Sequence, residues 1–509
     1  RLAAVAALAS VLHLLPATAA PARHALSRAE LLDRIRGGWA GQMIGVAYGA
    51  KTEFRSNGKI GEWDLPWTQG MLENAIQQDD LYVEMTFARV MDTLGLNATS
   101  RDYGAAFRDS QYHLWHANAA ARRALALGID APDSGHPRYN IHANDIDFQI
   151  EADFIGLMCP GLPRTSNKLC DRVGRVMNYG DGLYGGMFVC GMYSAAFLSE
   201  NPRHVVEQGL ACIPTASEYG QLITDLLRWS AEQPSDWRRV WQQVQDKWDR
   251  HDPCPDGALE PFNIDAKLNG AYIAFGLLFG EGDFRRTMEI STRCGQDSDC
   301  NPSSAAGVLG VMLGYKRIPA EFVAELPSLA HRKFAFTDYS FEDIVRSTET
   351  RALTAIRDAG GRVDDTAVEI RTQKPRAPRL EQWSPGIPTA RVPVSDPAWA
   401  WKGSWASEDG ARVSGTGGNQ AAFTFNGVGV AILARLDQAG GRADVLVDGR
   451  KARPADAYIP ERTHDNCLWH IDGLKPGTHT VTFITRDDRD ARSKAGRVAL
   501  LGAVVYGAP

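Results

Sequence analysis

Two acidic motifs, more than 200 residues apart, have the makings of an oxygen site for a hard cation. The first is Gln77-Gln78-Asp79-Asp80; the second is Cys294-Gly295-Gln296-Asp297-Ser298-Asp299-Cys300-Asn301-Pro302. Adjacent carboxylates at a helix start are favoured by its dipole, so each motif alone reads as a helix cap. Together they read differently. Mg²⁺ and Ca²⁺ take clustered carboxylate and carbonyl oxygens, usually from more than one chain segment. Asp79, Asp80, Asp297 and Asp299 are therefore the candidate ligands for one or two such ions. Gln78 and Asn301 are candidate substrate contacts beside them.

A third acidic segment, Asn144-Asp145-Ile146-Asp147-Phe148-Gln149-Ile150-Glu151-Ala152-Asp153, places Asp147 and Glu151 four residues apart, on one face if helical. Like charges at that spacing repel unless a cation, a substrate or a shared proton compensates. Glycoside hydrolysis commonly needs a carboxylic acid and a carboxylate about 5–9.5 Å apart. Asp147, Glu151 and Glu53 are the candidate acid and base, and Asp145 a candidate substrate contact. The alternative is a solvated acidic helix face, against which Phe148, Ile150 and Phe154 argue. Asn178–Gly186 is rich in Gly but lacks the spacing of a phosphate-binding loop. It either lets Asp181 and Tyr184 approach a sugar or is a tight turn before a helix from Met187. His113, His116, His136 and His142 show no ligand spacing and read as structural or cleft-lining. Eight cysteines form no zinc pattern, and Cys294 and Cys300 could close a small loop.

The elements that must position these groups are mostly helical from Ser27 to about Tyr339. Val83, Phe87, Val90, Met91 and Leu94 form one stripe of a helix over Asp79–Leu94, and Trp237, Trp241 and Trp248 mark another over Ser235–Trp248. An amphipathic segment over Phe284–Ile290 ends before the second acidic motif, and Asn301-Pro302 opens a further helix. Near residue 373 the pattern changes to a proline-rich stretch and then to alternating segments at Gln420–Phe425, Gly429–Ala434 and Thr478–Ile484. Gly417-Gly418, Gly440-Gly441, Asp448-Gly449 and Lys475-Pro476-Gly477 punctuate them, which is the signature of a β-sandwich or jelly roll. Trp399, Trp401, Trp405 and Trp469 are either a sugar-stacking platform or sandwich core. His464-Asp465-Asn466 is a polar loop that could line a site.

The chain has 509 residues, 44% hydrophobic and 23% charged, with a net charge of −6. That is globular composition without a basic nucleic-acid footprint. No internal stretch of 18 or more apolar residues suggests a membrane span. At the N-terminus, the apolar run Leu2–Pro16 followed by Ala17-Thr18-Ala19 reads as part of a secretory signal peptide, with a secreted or periplasmic protein as the expectation.

The ordered set of motifs resembles the ADP-ribosylglycohydrolases of the dinitrogenase-reductase-activating type. Arg36–Gly45 with Gly49-Ala50-Lys51-Thr52-Glu53 is similar to that family's opening helix and its acidic end. Gln78-Asp79-Asp80 is similar to its Thr-Asp-Asp motif, and Gly295–Asn301 to its Gly-x-Asp-Thr-Asp-Thr-Asn motif. The resemblance spans roughly residues 28–340. It implies an all-α orthogonal bundle holding two Mg²⁺ ions that bind a ribose diol and position water. It implies metal ligation by Asp79, Asp80, Asp297 and Asp299, and an acidic cleft residue at Glu53. Gln78 and Cys300 stand where the family has hydroxyl ligands, and a thiol is a poor partner for Mg²⁺.

The expected organisation is a partial signal peptide (1–19), an all-α catalytic domain (27–345), a linker or extended segment (346–397) and a carbohydrate-binding-like β-sandwich (398–509). The expected activity is metal-dependent hydrolysis of a furanosidic or ADP-ribosyl bond, with Mg²⁺ or Ca²⁺ as cofactor and a carbohydrate or ADP-ribosyl substrate. The competing expectation is a catalytically inactive protein that binds sugar or ADP-ribose.

Overall fold

The computed structural model describes residues 22–249, 252–460 and 467–508. The expected signal peptide and the His464-Asp465-Asn466 loop lie outside the described residues.

The helical domain is organised around a contact made possible by small residues. The helix Arg28–Gly49 carries Gly37, Gly41, Gly45 and Gly49 at four-residue intervals, one row along a single face. That row lies directly on the backbone of the helix Cys300–Leu313 and the loop before it. A Cβ added at Gly37, Gly41 or Gly45 would stand 2.2 Å from the carbonyl oxygens of Gly310, Ala306 and Pro302 respectively, and one at Gly49 2.0 Å from that of Ser298. The pairing is antiparallel and brings the end of the first helix, next to Glu53, against the second acidic motif.

The helix Asp79–Leu94 has the expected bounds. Val83, Phe87, Val90 and Met91 are buried, whereas Leu94 is 57% exposed because the helix ends there at Gly95. The helix Trp237–Trp248 buries Trp241 fully and its two flanking tryptophans partly. Phe284–Arg293 and Cys300–Leu313 flank the second motif.

Three local expectations are corrected. The helix Phe341–Asp358, fixed by a Ser340/Asp343 capping box, runs through the boundary placed at residue 345. Beyond it, Ala367–Arg371 pairs antiparallel with Arg23–Ser27 and with Arg362–Val363, tying the first half of the supposed linker to the helical domain. The Gly-rich segment is also helical from Asp181, not from Met187. Its glycines serve packing: a Cβ at Gly182 would meet Ala143 O at 2.4 Å, and one at Gly186 the Phe148 ring at 2.4 Å. Finally, all eight cysteines are buried free thiols, so Cys294 and Cys300 close no loop.

The C-terminal part is a sandwich of two antiparallel sheets. One runs Arg450–Lys451, Arg442–Val447, Gly477–Thr485, Gln420–Gly427, Trp399–Lys402, with Ala455–Asp456 beside the second strand. The other runs Cys467–Ile471, Gly429–Arg435, Val498–Gly507, Ala411–Ser414, Ala406–Glu408, with Ile387–Pro393 also paired to Val498–Gly507. The three alternating segments are central strands of these sheets. Trp399 stacks on Trp401 and packs on Phe423, while Trp469 is buried near Phe483 with its indole N–H on Arg453 O at 2.8 Å. The four tryptophans are therefore not one open platform: Trp399 and Trp469 are core, and only Trp401 and Trp405 are partly exposed.

The sandwich is docked, not tethered. Ala431, Cys467, Val504 and Tyr506 on its outer face bury with Ile141 and Ala258 of the helical domain. Arg123 Nη1 and Nη2 donate to Cys467 O and Asp456 O at 2.8 and 2.6 Å.

Candidate active site

The two acidic motifs meet at the floor of a cleft of about 650 Å³. Two turns hold the second motif against the end of the first helix. Thr52 Oγ1 lies 2.7 Å from Ser298 Oγ, Phe54 N donates to Gln296 O at 3.0 Å, and Gln296 N returns to Ser56 O at 3.3 Å. Phe54 and Gln296 both adopt positive φ (52° and 55°), which lets these turns lie face to face.

Neither Asp pair closes an N-cap bond, although Asp79 Oδ1 accepts from Asp80 N at 3.2 Å. Gln78 and Asp299 are the N-cap residues of their helices, and neither makes a side-chain cap bond. Asp80 is 1% and Asp297 2% exposed, and Oδ1 of each has no hydrogen-bond partner. Ligand atoms of Asp79, Asp80 and Cys300 lie within 4.8 Å of one another, and so do those of Asp297, Asp299 and Cys300. Cys300 thus joins the two pairs into one cluster.

Three buried carboxyls and the half-buried Asp79 repel in one volume. Burial, then Asp299, pushes Asp79 up to about 6; burial and neighbouring carboxylates push Asp80 and Asp297 well above their ordinary range. Burial also raises Asp299. Glu53 stands at the solvent-facing rim, and desolvation by the cleft wall, then Asp299 and Asp79, push it up to about 8. Unpaired buried carboxylate oxygens from two segments are the donor set that a hard divalent cation satisfies, so the residues fit Mg²⁺ or Ca²⁺. Cys300 contributes no such donor: burial and the surrounding carboxylates hold its thiol protonated.

The other expected residues divide between the cleft and the framework. Gln78 and Asp147 line the cleft. Asp147 also caps the helix His116–Ala126, accepting from Ala117 N at 3.2 Å and Asn118 N at 2.9 Å. Its own helical turn stops at Ile150, and Glu151 lies behind the wall, accepting from Asn118 Nδ2. Asp145 is turned away, bound to His142 Nδ1 at 2.7 Å. Asn301 is fully buried and donates to Asn269 Oδ1 at 2.9 Å. Asp181 accepts from Tyr219 N at 3.2 Å in a separate recess, and the Tyr184 hydroxyl is held by the backbone of Arg379 and Glu381. The structure does not bring Asp145, Glu151, Asp181, Tyr184 or Asn301 to the cleft surface.

His116, read from the sequence as structural or cleft-lining, does line the cleft; sequence reasoning missed Asp256, Phe54, Tyr82, Trp115 and Phe262, which line it too, with Phe54 and Phe262 in contact at a 4.9 Å ring separation. Asp256 lies in a turn without any motif, and only its place in the fold gives it a neighbour. Burial alone would lower His116, but Asp256 beside it and Asp145 beyond outweigh this and hold it above its ordinary range.

A profile of the ADP-ribosylglycohydrolase family matches residues 27–355. A solved structure described as an ADP-ribosylglycohydrolase-related protein complex is similar at 15% identity and a TM-score of 0.41, covering 64% of this chain and 99% of that one. A family two carbohydrate esterase from Clostridium thermocellum, in complex with cellohexaose, is similar at 19% identity and a TM-score of 0.17, over 21% of this chain and 30% of that one. A two-domain esterase active on acetylated mannans shows 13% identity and a TM-score of 0.20, over 32% and 46%. Comparison with curated proteins gave no match. Among the described residues no helix is long and apolar enough to cross a membrane. The family profile spans more than half the chain, including both acidic motifs and the turn that carries Glu53: the chain belongs to the ADP-ribosylglycohydrolase family.

Proposed function

We propose that this protein is an exported, metal-dependent glycoside hydrolase acting on a furanosidic or ADP-ribosyl bond. The observation that carries the reading is the pair of buried, unpartnered carboxylate oxygens, Asp297 Oδ1 in the lining of the cleft and Asp80 Oδ1 in the carboxylate cluster next to it, in a glycohydrolase-family domain. Asp79, Asp80, Asp297 and Asp299 would hold Mg²⁺ or Ca²⁺. When bound, such an ion supplies charge stabilisation and a template for vicinal sugar hydroxyls. Glu53, whose carboxyl keeps its proton near neutral pH in the ion-free cleft, is placed to donate it to the departing atom, the glycosidic oxygen of a furanoside or the guanidinium nitrogen of an ADP-ribosyl-arginine, and to take one from water afterwards. Asp147 fixes the start of the helix that carries His116 and Asn118, and Glu151 orients Asn118 from behind. Phe54, Tyr82, Trp115 and Phe262 offer apolar faces on which a sugar or base ring can stack. Export follows from the N-terminal apolar run, and the sandwich, with Trp401 and Trp405 partly open, is assigned to holding glycan.

The test is hydrolysis of ADP-ribosyl-arginine and aryl furanosides by the full chain, with Mg²⁺, with Ca²⁺ and with EDTA. Cation-dependent turnover is expected, abolished in Asp297→Asn and reduced about 10²–10⁴-fold in Glu53→Gln. Cys300 favours the second reading, a catalytically inactive sugar- or ADP-ribose-binding protein, which saturable binding without turnover would establish.

A further inference from the structure

Beside the aspartate cluster, a second set of ligand-type side chains has a different chemistry. His116, His142 and Asp256 each bring a ring nitrogen or carboxylate oxygen within 4.8 Å of the others. We propose that these three residues form a second metal centre, for a borderline divalent ion of the zinc type, at the wall of the cleft. Imidazole nitrogens suit Zn²⁺, Ni²⁺ or Cu²⁺, whereas the all-oxygen cluster suits Mg²⁺ or Ca²⁺, so the two sites select different ions.

Four observations converge on this. His116 Nδ1 is buried without a hydrogen-bond partner, 3.4 Å from Asp256 Oδ2. That is too long for an N–H···O bond of about 2.7–3.2 Å. It is about the separation of two ligands that share a tetrahedral ion at 2.0–2.1 Å from each. Secondly, Asp145 Oδ2 holds His142 Nδ1 at 2.7 Å, both side chains being almost wholly enclosed. A carboxylate on one imidazole nitrogen fixes the ring, the usual support of a metal-bound histidine, and the Cys254 thiol lies against the same ring. Thirdly, His116 has φ +40°, a conformation that costs a non-glycine residue free energy and persists only where the surroundings enforce it. Fourthly, the turn with Asp256 is clamped from the sandwich. Arg391 Nη1 donates to Pro255 O and Ala258 O at 2.6 and 3.2 Å, and Tyr506 Oη to Pro253 O at 2.8 Å. His116 and Asp256 both line the cleft, so an ion with three protein ligands here keeps a side open to what the cleft holds.

The test uses the full chain, stripped with EDTA, reloaded with Zn²⁺ in a large excess of Mg²⁺, and gel-filtered before elemental analysis. One equivalent of Zn²⁺ is expected to stay in the wild type and in Asp297→Asn. His116→Gln and Asp256→Asn should lose it, and Asp145→Asn should weaken it about 10–100-fold. Circular dichroism checks each fold. If His116→Gln does not fold, Asp256→Asn and the visible spectrum of the Co²⁺-loaded wild type decide, since a tetrahedral nitrogen–oxygen site absorbs far more strongly than an octahedral oxygen site. No retained Zn²⁺, or Zn²⁺ lost from Asp297→Asn but kept in His116→Gln and Asp256→Asn, overturns the proposal. Neither result bears on glycoside turnover, which is measured separately.

Discussion

Asp79 and Asp80 are legible in the sequence as carboxylates at a helix start, but Asp80 is not legible as one that leaves an oxygen without a partner. That unpartnered oxygen depends on the second motif folding against the first. His116 and Asp256 were invisible as a pair for the same reason, since nothing local relates positions 116 and 256. The electrostatics of these residues carry a prediction. Without a cation, Glu53 and Asp79 keep their protons up to about pH 8 and 6, and His116 is likewise raised. In the unfolded chain the two carboxyls release theirs near pH 4 and the histidine its own near 6.5. The folded state therefore binds more protons across this interval, and stability falls as pH rises from about 4 to about 8. The EDTA-treated protein should have a higher Tm at pH 5 than at pH 8, and saturating Mg²⁺ should raise the pH 8 value most. A metal-free protein that is more stable at pH 8 than at pH 5 would contradict the mutual repulsion of the carboxyls in this cleft.

At the level of elements, regular periodicity was readable and close approach was not. The helix Asp79–Leu94 and the strands around Gln420, Gly429 and Thr478 show their period in the sequence, because each buries one face. Glycines misled in both directions. Those at 182, 185 and 186 suggest a loop, yet they lie inside a helix that touches Phe148, Gln149 and Asn178. Those at 37, 41, 45 and 49 mark the contact that brings the aspartate loop under Glu53. Gly45→Ala tests that role. Its methyl would stand 2.2 Å from Pro302 O, on backbone that no rotamer change can move. The two helices must part, at a cost of about 1–3 kcal/mol or more. Denaturant unfolding should show that loss, and Mg²⁺ affinity should weaken with it because Asp297 and Asp299 precede the displaced helix. A variant within about 0.5 kcal/mol of wild type, the range of an ordinary surface substitution, would mean that this contact is not tight.

For the whole molecule, the question is whether the sandwich is a separate module or part of the site. A proline-rich stretch between two composition regimes suggests a linker, but the chain uses it otherwise. Ala367–Arg371 closes the helical domain's small sheet, and Ile387–Pro393 joins a sheet of the sandwich. The turn with Asp256 then receives its hydrogen bonds from the far end of the chain: Arg391 and Tyr506 bind the carbonyls of Pro253, Pro255 and Ala258. A turn held by a second domain should loosen when that hold is cut, even though the cleft itself is untouched. Arg391→Ala removes two charge-assisted hydrogen bonds, each contributing about 1.5–3 kcal/mol. Amide exchange over residues 252–262 should accelerate by about tenfold or more, while strands such as Gly429–Arg435 keep their protection. Unchanged exchange in that turn would show that the helical domain shapes this wall alone. Acceleration confined to it would show that the sandwich positions one side of the cleft, whatever else it binds.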